Sequence, residues 1–180
     1  VQWNNSVYPQ MIVGRIPFLD KEQFSHYFEK IKNNNEAQFN EWNKKFLFFS
    51  SGNGSNPSEL SILKFANDKV VSELVAPKPI AGNYHHFYKT SSPQTDFGPF
   101  SEDVISKAIS DGSVFISYLG HSGTATWDNS INNVEQLKNS VNRNPLITDF
   151  GCSTNKFGEY DIICFGERFL LDADGQAIGY

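Results

Sequence analysis

The 180 residues carry 20 acidic against 15 basic side chains, with an isoelectric point near 5.3, and this excludes a nucleic-acid binder, which needs a basic stripe. Aromatic residues make up 14%, including 16 Phe, while charged residues reach only 19%; this belongs to one globular domain with a well-filled core, not to a disordered or fibrous chain. No run of about 18 apolar residues is available to span a membrane. Val1-Gln2-Trp3 has none of the character of a signal peptide and reads as a mature or trimmed start.

In chain order, Gln10-Met11-Ile12-Val13-Gly14 reads as a strand stopped by Arg15-Ile16-Pro17. Asp20 caps a helix that places Phe24, Tyr27, Phe28 and Ile31 on one face, and Asn33-Asn34-Asn35 ends or loosens it. Lys45 to Ser50 is a second strand, and Ser51 to Pro57 is a polar turn. Leu60 to Val75 is helical with Leu63, Ala66, Val70 and Leu74 inward. Prolines at 77, 79, 93 and 99 mark Pro77 to Phe100 as loop or irregular extended chain. Ser101 caps a helix from Glu102 to Ser110 that ends at Asp111-Gly112.

Ser113-Val114-Phe115-Ile116-Ser117-Tyr118-Leu119 is a strand that runs into Gly120-His121. After a polar loop and a short helix near Val134 to Val141, Pro145-Leu146-Ile147-Thr148-Asp149-Phe150 is a strand that runs into Gly151-Cys152. A helix follows at Phe165 to Leu171, and Gly175 to Tyr180 begins a last strand, so a piece of a longer protein is expected. Nearly all-apolar strands separated by helices indicate a parallel sheet covered on both faces. Such sheets collect chemistry at the carboxyl ends of their strands, where both His121 and Cys152 fall. A thiol and an imidazole at neighbouring tips are the parts of an activated nucleophile with its general base. The N–H groups of Ser122, Gly123 and Cys152 are candidate oxyanion donors.

Other features carry less. The two cysteines, Cys152 and Cys164, make neither a disulfide scaffold nor a zinc site, and Cys164 reads as a small buried hydrophobe. His85-His86 lack a third ligand at usable spacing and read as ordinary loop residues, so no metal and no cofactor is expected. Asp172, Asp174 and Gly175 do not complete a calcium loop. Ser51-Gly52-Asn53-Gly54-Ser55 offers a rival phosphate cradle, but Pro57 stands where the third glycine of the dinucleotide pattern belongs.

Tyr118-Leu119-Gly120-His121-Ser122-Gly123, Asp149-Phe150-Gly151-Cys152 and Phe165-Gly166-Glu167-Arg168-Phe169-Leu170-Leu171 resemble, in order and spacing, the catalytic core of gingipain-type cysteine peptidases. Met11 to Pro17 and Gly175-Gln176-Ala177-Ile178 extend the likeness to most of the chain. The resemblance implies a caspase-like, mostly parallel β-sheet flanked by helices on both faces, with residues 1–180 as a single peptidase domain. It implies a cysteine endopeptidase with Cys152 as nucleophile, His121 as general base, and a peptide or protein as substrate. It also implies export from a Gram-negative bacterium to the cell surface or beyond, with other domains of the same chain or secretion-system components as partners. Ser122 departs from the glycine that many relatives carry after the histidine. No motif assigns the acid that orients His121; Asp128 and Glu73 are candidates, while Glu167 and Arg15 read as structural charges bracing the sheet. The alternatives are an inactive caspase-like binding or structural module of a secretion-associated surface protein, and a nucleotide-binding domain.

Overall fold

The computed structural model describes residues 11, 14–91, 100–128, 142–171 and 177–180. Four strands, Lys45–Ser50 (β1), Asn83–Tyr88 (β2), Phe115–Leu119 (β3) and Leu146–Phe150 (β6), form one sheet in the order β2-β1-β3-β6. Every pairing in it is parallel. Ser122–Gly123 (β4) and Thr126–Trp127 (β5) make a small antiparallel hairpin between β3 and β6 in the chain. Gly179 bridges Leu146 in parallel, with Ile147 N–H donating to Gly179 O at 2.9 Å, so the last described residues run along the outer edge of β6.

Helices cover the sheet from both sides. The chain steps from β1 to β2 through Pro57–Val70 (α2) and the π turn Val71–Val75, then steps back to β3 through Glu102–Ser110 (α3). Right-handed crossovers in opposite directions put the two helices on opposite faces. On one face Val71 and Val75 pack on Phe48. On the other, Ile105 and Ile109 of α3 join Leu47, Phe49, Ile116 and Ile147, together with Trp127 and with Phe165 and Phe169 of Phe165–Leu171 (α4). Burying each of these large side chains contributes roughly 1.5–3 kcal/mol, so the aromatic face holds most of the core.

Several elements differ from what the sequence led us to expect, each for a physical reason. The helix capped by Asp20 is Lys21–Glu36 (α1), with Asp20 Oδ1 accepting from Gln23 N–H at 2.8 Å. Its inward stripe is not the aromatic one: Phe24 and Phe28 are exposed and Lys30 is buried. The helix docks through polar reach, with Tyr27 Oη donating to Ile178 O at 2.8 Å and Lys30 Nζ to Leu170 O at 2.6 Å. On α2 and the π turn that follows it the buried positions are Leu60, Asn67, Val71 and Val75, while Val70 and Leu74 are exposed. Asn67 replaces an apolar residue in that stripe because its Nδ2 donates to Phe49 O at 3.1 Å and to Ser50 Oγ at 2.9 Å. The stretch expected as loop from Pro77 contains β2, an edge strand whose alternation buries Phe87. His85 and His86 therefore lie in a strand, not in a loop. The first strand at 10–14 is described only at Met11 and Gly14, and the helix near 134–141 and Asp172 to Gly175 lie outside the described residues.

Candidate active site

The register of the sheet brings the two strands that carry the reactive residues to a common end. Leu119 pairs with Phe150 as the last rung between β3 and β6, so the strands end level. Gly120-His121 and Gly151-Cys152 then leave the sheet side by side. Both glycines are required by close approach. A Cβ at Gly120 would meet Ser51 Cα at 3.0 Å, and one at Gly151 would meet Asp149 Oδ1 at 2.7 Å and collide with the Ser122 hydroxyl. Ser153, directly after the cysteine, holds φ +66°, a left-handed conformation that turns the chain sharply behind Cys152.

His121 is pinned at both ends. Its carbonyl accepts from the Tyr118 hydroxyl and from Asp128 N–H; burial pushes the Tyr118 phenol well up, so it stays a donor. The imidazole Nε2 lies 2.7 Å from Glu59 Oε1. With Nε2–H donating to the Glu59 carboxylate, Nδ1 carries the lone pair and has no protein partner among the described residues. Glu59 is itself fixed by the turn before α2: Asn53 N–H donates to its Oε1 at 3.1 Å, and its own N–H donates to Asn56 Oδ1 at 3.2 Å. The glycine-containing turn therefore spends its polar groups on Glu59 and on the start of α2, which makes it a strand-to-helix loop.

The Asp128 carboxylate does not meet the His121 ring. Its Oδ2 accepts from Ser51 Oγ at 2.9 Å and lies 3.3 Å from Lys89 Nζ. Glu73 pairs instead with Lys69, at 3.7 Å. The sequence conceals Glu59 because Asn56 followed by Glu59 is an ordinary helix-start pattern, and the histidine it meets arrives from a different strand. Glu167 Oε2 accepts from Cys164 N–H at 2.9 Å at the start of α4, and Arg15 stacks 4.1 Å over the Phe157 ring.

Cys152 is a free, exposed thiol, and Cys164 is free but buried, with burial pushing its thiol up. Ser122, in place of a glycine after the histidine, has a clear use: its Oγ donates to Cys152 O at 2.7 Å and ties the cysteine turn to the histidine hairpin. No thiol–imidazole hydrogen bond is formed; the imidazole faces Glu59. The hairpin also sorts the oxyanion candidates. Asp128 N–H donates to His121 O, and alternation along an antiparallel pair then commits the Gly123 N–H to Thr126. The N–H groups of Ser122 and Cys152 have no acceptor among the described residues.

The comparisons with known proteins bear on the family and the fold. The sequence profile of peptidase family C25 matches residues 3–180. A crystal structure of the Arg-specific cysteine proteinase gingipain R superposes with a TM-score of 0.70 at 20% identity, covering 97% of this chain and 40% of that one. A complex of the pro- and mature domains of RgpB from Porphyromonas gingivalis matches with a TM-score of 0.55 at 20% identity, over 82% of this chain and 35% of that one. The chain thus spans well under half the length of the solved structures it resembles, and it shares their caspase-like fold. No curated protein sequence matches it.

Proposed function

The chain belongs to peptidase family C25, and on that premise we propose that it is the catalytic part of a cysteine endopeptidase, with Cys152 as nucleophile and His121 as general base. The observation that carries the reading is the level ending of β3 and β6, with an exposed thiol two residues past one strand and, two residues past the other, an imidazole whose Nε2 is taken by Glu59. When a peptide carbonyl enters between the tips, the thiol proton passes to Nδ1 of His121 and Sγ bonds to the carbonyl carbon. The carbonyl π electrons move to oxygen, where the N–H groups of Ser122 and Cys152 receive the developing charge. Collapse of this adduct breaks the C–N bond, and the departing amine takes the proton from His121. Water then attacks the thioester, giving its proton to the same imidazole, and the thiol is released with the new carboxylic acid. Glu59 holds the ring in one tautomer throughout and balances its positive charge.

The same reading places the protein outside the cytoplasm of a Gram-negative cell, at its surface or beyond, acting on peptide or protein substrates alongside further domains of its own chain. Assay of the full-length protein tests it. Cys152→Ala and His121→Ala should each lower kcat/KM on a peptide library by about 10^4- to 10^6-fold while leaving the melting temperature nearly unchanged. Undiminished cleavage by either variant overturns the assignment. A full-length parent that binds peptides without cleaving them favours the inactive binding module.

A further inference from the structure

Asp149 is the one charged residue of its strand, opposite Tyr118 in the register and facing the aromatic side of the sheet. Its carboxylate accepts from three donors that come from three parts of the site. Gly151 N–H, in the cysteine turn, donates to Oδ1 at 2.6 Å. Trp127 Nε1–H, in the hairpin that follows His121, donates to Oδ2 at 2.7 Å, and the Tyr180 hydroxyl, at the edge of β6, donates to the same oxygen. Burial and the Asp149 charge push the Tyr180 phenol upward, so it remains a donor. Trp127 is 1% exposed and lies flat on Tyr118, with ring centroids 4.6 Å apart and planes 4° from parallel. Tyr118 is the residue whose hydroxyl holds the His121 carbonyl. One carboxylate is therefore bonded directly to the turn behind the thiol and linked by a single stacked pair to the backbone of the imidazole.

We propose that Asp149 is the positioning residue of this site, bracing the Gly151-Cys152 turn against the His121 hairpin so that thiol, imidazole and the Cys152 N–H meet a carbonyl in one fixed arrangement. The inference rests on the cysteine-peptidase reading above. Charge-assisted bonds to several donors hold an angle far better than a single neutral contact, and a displacement of about 1 Å in such a site costs about 100-fold in rate. An amide cannot replace the carboxylate, because its NH2 would face either the Gly151 N–H or the Trp127 N–H, both of which only donate.

A rival use of Asp149 is to bind substrate directly, since it lines an open cavity of about 380 Å³ with Gly151, Ser153, Lys156 and Tyr180 beside Cys152. The two uses separate in full-length protein carrying Asp149→Asn and, as a milder change, Tyr180→Phe. Bracing predicts that Asp149→Asn lowers kcat by about 10- to 100-fold with KM within about twofold. It also predicts slower alkylation of Cys152 by iodoacetamide near neutral pH, by about tenfold, read by mass on the peptide that carries it. Tyr180→Phe should move both in the same direction by a smaller factor. A higher KM with unchanged kcat would mean a substrate contact and overturns the proposal. Faster alkylation, as loss of a nearby negative charge alone would give, overturns it too, and so does a lower melting temperature with both rates unchanged. If the parent cleaves no peptide, the peptidase reading falls, while alkylation still decides whether Asp149 sets the thiol. If Asp149→Asn does not fold, Tyr180→Phe and Trp127→Phe decide the matter through the same two readouts.

Discussion

Two side-chain constellations in this domain have the same chemical plan and opposite surroundings. Ser50, His86 and Asp68 form a connected hydroxyl–imidazole–carboxylate chain, with Ser50 Oγ 2.9 Å from His86 Nε2 and His86 Nδ1 2.7 Å from Asp68 Oδ1. Cys152, His121 and Glu59 share the plan, yet only the imidazole–carboxylate contact is made. Connectivity alone would select the first set. Ser50, however, is 1% exposed, and its hydroxyl donates to Leu63 O at 3.1 Å and receives the Asn67 amide. Ser50 is the last rung of β1, closed in by α2, whereas His121 and Cys152 stand two residues beyond their last rung. The lesson is that a relay becomes a site only where the nucleophile has left the sheet and a substrate can reach it. The closed set pins α2 onto the sheet.

That contrast can be broken by exchanging the demands on the two carboxylates. Glu59→Gln should lower kcat by about 10- to 100-fold, less than the loss of the acid in a serine triad because a thiol ionises more readily than a hydroxyl. Asp68→Asn should leave kcat unchanged and affect stability alone. Kinetics on the two variants in full-length protein check the pair, and a fall in kcat for Asp68→Asn would show that the closed constellation reaches the chemistry. A smaller effect sharpens the same point from inside the fold. Asn67→Ala removes two buried hydrogen bonds to β1 and should destabilise by about 1–3 kcal/mol, seen as a lower urea midpoint, with kcat/KM untouched below the transition. Loss of activity without loss of stability would contradict the division of roles.

How much of this was legible in the sequence follows the same division. β1, β3, β6, α3 and α4 could be read because their apolar runs and terminal signals are local. The Cys152 and His121 tips followed from them, since a parallel sheet ends its strands where chemistry gathers. What escaped was polar and long-range. Glu59 looks like a helix-start acid until His121 arrives from another strand. Asn67 and Lys30 point inward through hydrogen bonds that no apolar periodicity records, which is why the buried stripes of α2 and α1 were misplaced. The β4–β5 hairpin has two residues per strand, too few for alternation to show, yet it fixes which N–H groups stay free. β2 hides among prolines because an edge strand needs only Phe87 buried.

The smallest expected effect concerns proton balance in the closed constellation. Burial, aided by Lys64, depresses the His86 pKa below its ordinary value, and this outweighs the opposing pull of Asp68. His85 is depressed in the same direction by burial and by Lys45. Between the depressed value and the ordinary one near 6.5, the unfolded chain binds more protons than the folded one, so stability rises with pH across that window. The contribution is fully present above the window and is lost as pH falls through it. Urea midpoints should therefore drop between about pH 7.5 and about pH 5, and His86→Gln should flatten part of that slope. A midpoint that rises on acidification would mean that the bond to Asp68 dominates, with His86 held charged in the folded state; the closed constellation would then be an ion pair that gains from acid, not a neutral relay that acid disrupts.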